Sequence, residues 1–169
     1  MNRGAIRLRA MEPEDLDFLY GMENDSDMWS VGNTSVPYSR YVLHDYIANA
    51  TNDIYHDGQV RLIMENSEGE AVGIVDVFDF NAQHRRAEVS VAVHKTHRRH
   101  GYAESALSLV VDYSLHTLHL HQLYAIVAED NIASQRLFGK MGFGKGVMLQ
   151  EWLFDGEKYK NAIVFNKLL

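Results

Sequence analysis

The chain has 169 residues, of which 46% are hydrophobic, with two prolines and no cysteine. A chain of this length can bury a sizeable core in one domain, residues 1–169, and without cysteine it forms no disulfide and uses no thiol in catalysis. The formal net charge of −7 argues against a nucleic-acid-binding protein, and the absence of a long apolar run argues against a membrane protein. We therefore expect a cytoplasmic protein in which a local basic cluster serves a polyanionic ligand.

The first half of the chain predicts three strands and two helices. Strands are indicated by alternating or continuous apolar residues, and helices by apolar residues at helical spacing behind a favourable first position. In chain order these are a strand at residues 5–10, a helix from Pro13, a loop at 24–38 with Trp29 and Tyr38 as its large side chains, a helix capped by Ser39, and strands at 59–65 and 71–80.

The second half predicts four strands and two helices. Strand, helix and strand alternate first, and a hairpin closes the chain. The elements are a strand at 87–93, a helix at 104–115, a strand at 123–128, a short helix capped by Asn131 and closed by Gly142, and a hairpin of 147–154 and 158–168. This order indicates an α/β (α+β) fold with a mixed, mostly antiparallel sheet of about seven strands flanked by about four helices.

A basic turn at residues 95–103 joins the strand at 87–93 to the following helix. The first turn of a helix carries unpaired N–H groups and partial positive charge, so it can hold a phosphate or diphosphate. Gly101 permits a close backbone approach, and Lys95, Arg98 and Arg99 add positive charge.

Two motifs carry a resemblance to a known family. The pattern Arg98-x-x-Gly101-x-Ala103, which opens a helix after a strand, resembles the acyl-CoA signature of the GNAT N-acetyltransferase superfamily. The segment from Asn131 to Phe143 resembles a second pattern of the same superfamily, about thirty residues further on. The resemblance implies a sheet that splays beside the central helix, and turn amides that bind the diphosphate of acetyl-CoA. The turn residues concerned are Arg98, Arg99, His100, Gly101, Tyr102 and Ala103.

The resemblance also implies further contacts with acetyl-CoA. An amide near Val91 or Ala92 should polarise the acetyl carbonyl, and Val93 should pair with the pantetheine arm. Asn131 and Ser134 should lie near that arm and the sulfur.

Transfer to an amine needs a group that takes the amine proton. Glu88 is our candidate, and the alternative is a structural glutamate paired with Arg85 or Arg86. Phe138 takes the place of the tyrosine that is thought to protonate the CoA thiolate in relatives. Three alternatives stay open: Tyr124 or Tyr113 replaces it, with Tyr124 our choice, or the thiolate takes its proton from water.

The substrate is less clearly indicated. Residues 6–10, 84–88 and 112–121 resemble bacterial spermidine and diamine N-acetyltransferases, which favours a polyamine or diamine, yet residues 30–36 lack the glutamates expected there. A ribosomal-protein-type N-terminal acetyltransferase and a catalytically weak acyl-CoA-binding sensor are the alternatives. The resemblance implies a homo-oligomer. The histidines at 116, 119 and 121 lack an obvious further ligand, so we expect no metal site.

Overall fold

Seven strands form one sheet in the computed structural model, which describes residues 4–29 and 36–169. The sheet order is β1-β2-β3-β4-β5-β7-β6, and every neighbouring pair is antiparallel except β4 and β5. All seven predicted strands and the predicted fold class are confirmed. The strands are β1 (Ile6–Arg9), β2 (Val60–Asn66), β3 (Ala71–Asn81), β4 (Arg86–Val93), β5 (Gln122–Ala128), β6 (Gly144–Phe154) and β7 (Tyr159–Leu168).

The four predicted helices are present, and two further helices were missed. Their bounds are α1 (Leu16–Glu23), α2 (Ser26–Trp29), α3 (Arg40–Asn49), α4 (Ile54–Asp57), α5 (Tyr102–His116) and α6 (Ile132–Lys140). The missed ones, α2 and α4, have four residues each, too few to show helical periodicity. The predicted loop at 24–38 is therefore wrong for residues 26–29, while residues 30–35 and the side chain of Trp29 lie outside the described part. Pro13 begins a 3-10 turn that leads into α1.

Side chains on alternate faces of the sheet supply two apolar layers. Ile63 and Ile74 pack with α1 and α3, whereas Met64, one residue after Ile63, belongs to the larger core that includes Leu107 of α5. The period of two along a strand explains why neighbouring residues enter different layers. Burying a side chain such as Leu107, which is fully buried, contributes roughly 2 kcal/mol.

Strands β4 and β5 pair over three residues only and then separate. The paired residues are Arg86 with Gln122, Ala87 with Leu123 and Glu88 with Tyr124. Beyond Glu88, β4 stays bonded to β3, and beyond Tyr124, β5 stays bonded to β7. The sheet therefore opens between β4 and β5, as the resemblance implied, and we call this space the opening. Within the described residues, no helix has the length and apolar character needed to cross a membrane.

Candidate functional site

The basic turn between β4 and α5 presents main-chain N–H groups at the mouth of the opening. A 3-10 turn at Lys95–His97 is followed by two residues with left-handed backbone, Arg99 (φ 67°) and Gly101 (φ 82°), and α5 begins at Tyr102. In the described part of the chain, the amides of residues 99–103 have no protein acceptor. These amides lie at the start of a fifteen-residue helix, so its dipole adds to their attraction for an anion.

Side chains of the basic turn stabilise it through contacts with neighbouring main-chain and side-chain groups. The Arg98 guanidinium donates through Nε to the Val93 carbonyl (3.3 Å), and His100 Nδ1 lies 2.9 Å from the Arg98 carbonyl. The His100 ring stacks on Tyr102, with centroids 5.6 Å apart. Lys95 pairs with Asp25, which follows α1, at 3.4 Å. Arg99 occupies the position where the family pattern often has glycine, and its positive φ explains that preference.

The alternation of the β3–β4 ladder decides which β4 amides face the opening. His94 N donates to Val72 O at 2.9 Å. In an antiparallel pair every second residue bonds to the same neighbour, so Ala92 also bonds toward β3. Val91 and Val93 therefore direct their amides and carbonyls into the opening. Of the two candidates for polarising the acetyl carbonyl, this geometry favours Val91 over Ala92.

The start of α6 lies directly after β5 and forms the other wall of the opening. Asn131 caps this helix as predicted, because its side-chain oxygen accepts from Ser134 N at 3.1 Å. Lys140 at the end of α6 donates to both oxygens of Glu104 in the first turn of α5, each at 2.8 Å. This ion pair connects α5 and α6, the two helices that border the opening. Contact of Asn131 or Ser134 with acetyl-CoA stays a prediction.

Phe138, which replaces the family's tyrosine, is a core side chain in this structure. It is 5% exposed, and its ring packs edge-on against Phe143, with centroids 5.1 Å apart. Tyr113, one candidate replacement, lines a cavity with Leu8, Leu62 and other residues of β1, β2 and α5, away from β5. Burial raises the pKa of the Tyr113 phenol.

Glu88 lies at the narrow end of the opening, where β4 and β5 part. Burial raises the pKa of its carboxyl to about 7, against a hydrogen bond from the Ile126 amide that lowers it, and the nearby charge of Asp79 raises it further. Within the described residues, neither Arg85 nor Arg86 is among the groups that act on it, which disfavours the alternative of a structural ion pair. A carboxyl that titrates near neutral pH is suited to take and release protons.

Tyr124 and Asp79 complete the cluster around Glu88. The Tyr124 hydroxyl donates to Asp79 Oδ2, and burial together with this hydrogen bond raises the pKa of the phenol. The sequence interpretation missed Asp79, although aspartate inside a predicted strand is unusual and was the available signal. The catalytic roles predicted for Glu88 and Tyr124 stay predictions.

Comparison with known proteins identifies the family. The model of the acetyltransferase (GNAT) domain matches residues 5–144. The chain belongs to the GNAT acetyltransferase family. The predicted family and the predicted use of acetyl-CoA as co-substrate are thereby confirmed.

Several relatives of this GNAT protein act on spermidine. The spermidine N(1)-acetyltransferase of Escherichia coli (strain K12) is 29% identical over 164 residues, covering 94% of this chain and 83% of the relative. The Vibrio cholerae enzyme of the same name is 28% identical over 153 residues, covering 89% and 86%.

Solved structures of a Vibrio cholerae spermidine N-acetyltransferase show the same fold. The complex with CoA and spermine superposes with a TM-score of 0.85 at 26% identity, covering 96% of this chain and 95% of that one. A dodecameric form of the enzyme gives a TM-score of 0.81 at 27% identity, covering 96% and 93%. Among the described residues, no group of three or more His, Asp or Glu side chains is placed to hold a metal ion.

Proposed function

We propose that this GNAT protein transfers the acetyl group of acetyl-CoA to a primary amine of a polyamine or diamine. The observation that carries the proposal is the opening between β4 and β5. Within the described residues, it has unpaired amides at its mouth and two carboxylates, Glu88 and Asp79, at its narrow end. Carboxylates at that end suit an acceptor that arrives as a cation, since such amines have pKa values near 10. The names of the relatives support the same substrate class.

The proposed acetyl-CoA site lies along the end of β4 and the basic turn that follows it. The amides of residues 99–103 would hold the diphosphate, with the positive charge of Arg98 and Arg99 beside it. From there the pantetheine arm would run along β4 and bond to Val93 in the place of a missing strand. The Val91 amide would then polarise the acetyl carbonyl and stabilise the oxyanion that forms on it.

The chemical step is a direct transfer at the narrow end of the opening. The amine nitrogen forms a bond to the acetyl carbon, the carbon–sulfur bond breaks, and the sulfur leaves with its electron pair. Glu88 would accept the proton that the nitrogen loses, and Tyr124 contributes a phenol at the same place. Proton transfer by a positioned group contributes typically about 10²–10⁴-fold in rate, so Glu88 would matter far more for turnover than for cofactor binding.

We also propose that the protein assembles as a homo-oligomer. The hairpin of β6 and β7, in which β6 is the edge strand of the sheet, carries a row of apolar side chains that are each more than half exposed. They are Val147, Met148, Trp152, Phe154 and Tyr159. Such a row on an edge strand suits contact with a second copy of the chain, and a relative forms a dodecamer. Light scattering on the purified protein tests this, and a monomer at micromolar concentration would contradict it.

An amine-panel assay tests the proposed reaction. Purified protein is mixed with acetyl-CoA and either spermidine, spermine, a short diamine or a peptide with a free N-terminus, and released thiol is measured. We expect turnover with the polyamines or the diamine, and a loss of about 10²–10⁴-fold in kcat for Glu88→Gln, while calorimetry shows an unchanged Kd for CoA. Glu68→Gln, in the exposed turn between β2 and β3, is the matched control and should behave as wild type.

Each alternative outcome of the panel has a distinct meaning. Turnover with the peptide alone would replace the polyamine proposal by N-terminal protein acetylation. CoA binding without turnover of any amine would indicate an acyl-CoA-binding sensor, the function that Phe138 left open. Failure to bind CoA would overturn the proposed site itself.

A further inference from the structure

Asp79 has a backbone conformation that β-strands rarely contain. It lies within β3, yet its φ is 49°, in the left-handed region. The register between β3 and β4 shifts between Phe78 and Asn81, which is the signature of a bulge at this point. A left-handed backbone costs most residues roughly 1–2 kcal/mol, and aspartate and asparagine tolerate it better. A bulge re-aims a side chain out of the regular ladder.

The bulge directs the Asp79 carboxylate across β4 to a strand that β3 does not touch. Its partner is Tyr124 of β5, whose hydroxyl donates to Asp79 Oδ2. Between them lies Glu88 of β4, which is paired with Phe78 on one side and with Tyr124 on the other. Three side chains from three strands therefore meet where the opening begins, and left-handed Asp79 supplies the contact that spans from β3 to β5.

The direction of the hydrogen bond limits what Tyr124 can do. A phenol has one proton and two acceptor lone pairs. While the phenol donates its hydrogen bond to the Asp79 carboxylate, Tyr124 has no proton to donate elsewhere, and its lone pairs are available as acceptors. The raised pKa of the Tyr124 phenol points the same way, because a weaker acid is a poorer donor to a thiolate, whose conjugate acid has a pKa of about 8.5.

We infer that Asp79 is a positioning residue that acts through Tyr124: by accepting the hydrogen bond of the phenol, it makes Tyr124 a hydrogen-bond acceptor that orients the amine, and it leaves Glu88 to serve as the proton shuttle. The inference rests on the proposed acetyl transfer and deepens it. It departs from the role of proton donor that the sequence suggested for Tyr124, because Glu88 both takes the amine proton and returns it.

Protons balance in this scheme without a tyrosine on α6. The ammonium first gives one proton to solvent, because only the neutral amine has a lone pair for attack. The neutral nitrogen donates one N–H to the Tyr124 oxygen as it approaches, and its second N–H proton passes to the Glu88 carboxylate when the nitrogen–carbon bond forms. The carbon–sulfur bond breaks and leaves a thiolate. Protonated Glu88, with a pKa of about 7, is a stronger acid than the thiol and can pass its proton to the sulfur, which restores the carboxylate. The amide product and free CoA leave, and Asp79 and Tyr124 end as they began.

Tyr124→Phe distinguishes an amine-orienting phenol from an acidic one. The variant is assayed with acetyl-CoA and with p-nitrophenyl acetate, whose leaving group departs as a stable anion and needs no proton. An orienting role predicts a loss of about tenfold in kcat/KM for the amine with both acetyl donors, as expected for one lost hydrogen bond. If the loss vanished with the ester, Tyr124 would be the acid and our inference would be overturned.

Asp79→Asn tests whether Asp79 acts through Tyr124. Asparagine tolerates the left-handed backbone, so the variant keeps the fold, which thermal unfolding checks. Glu151→Gln, at another left-handed position (φ 50°) on exposed β6, is the matched control. We expect Asp79→Asn to lower kcat/KM for the amine in the wild-type background, and to change it less than twofold in the Tyr124→Phe background.

A second readout follows the Glu88 carboxyl directly by carbon NMR. Removing the negative charge of Asp79 should lower the pKa of Glu88, since that charge raises it. Full additivity of the two substitutions would refute the role of Asp79. A Glu88 titration unchanged by Asp79→Asn would show that the Asp79 charge does not lie beside Glu88, which removes the geometry on which the inference rests. Turnover of the amine by the wild-type protein would still support the proposed function. Failure of the inference about Asp79 can therefore be distinguished from failure of the proposed acetyl transfer.

Discussion

Replacing Glu88 by glutamine should remove one titration from the pH profile of the enzyme. The Glu88 carboxyl has a pKa of about 7, raised first by burial, and only its ionised form can accept a proton. About half of it is ionised near pH 7, about one tenth near pH 6 and about nine tenths near pH 8. The rate that depends on Glu88 should therefore rise about tenfold between pH 6 and pH 8 and then level off.

The amine substrate titrates as well, so the assay compares two proteins rather than two pH values. Both wild type and Glu88→Gln respond to the ionisation of the amine in the same way. The ratio of their kcat/KM values cancels that contribution and reports the free enzyme's own group. We expect this ratio to follow a single titration with a midpoint near pH 7.

A flat ratio between about pH 6 and pH 8 would refute the reasoning. It would mean either that Glu88 titrates near the ordinary value for glutamate, about 4.3, or that it takes no proton during transfer. Carbon NMR of the labelled carboxyl separates these two failures, because it measures the titration without turnover.

Three further predictions concern stability and cofactor binding. Because Glu88 binds its proton more tightly when folded, the free energy of unfolding should fall as pH rises from about 4.5 to about 7; discounted for its partial exposure, the fall is roughly 1–2 kcal/mol, and denaturant titrations of Glu88→Gln should lack it. Gly101→Ala should lower the free energy of unfolding by about 1–2 kcal/mol, because Gly101 has a φ of 82°. It should also weaken CoA binding in calorimetry, and an unchanged Kd would argue against the turn as the diphosphate site. Phe138→Tyr should lower the free energy of unfolding by about 1–3 kcal/mol, because its hydroxyl would be buried beside Phe143. A large gain in kcat for Phe138→Tyr would instead indicate a lost acid.

The strands and long helices could be read from the sequence because each buries one regular face. Residues 71–80 and 123–128 show the apolar runs of buried strands, and Ser39 and Asn131 cap helices with the bonds expected of them. The basic turn was also readable, since its charge and Gly101 lie between two strongly patterned elements. Local chemistry sufficed for these features.

Features that depend on contacts between distant residues could not be predicted in the same way. Asp79 meets Tyr124 across 45 positions of chain, and nothing near Asp79 in the sequence specifies a bulge. Whether Val91 or Ala92 faces the opening depends on the register with β3, which a one-residue shift would reverse. The core position of Phe138 likewise follows from the packing of α6 on β6 and β7.

The three-residue ladder between β4 and β5 has a consequence for the protein without its co-substrate. Few main-chain bonds join β4 to β5 there. The two halves of the sheet, β1–β4 and β5–β7, are held together mainly by the apolar core that they share. A molecule bound along β4 in the opening would supply main-chain partners that the polypeptide lacks there. Acetyl-CoA in the proposed site would therefore complete the main-chain bonding of the opening, and each release of CoA would remove those bonds again.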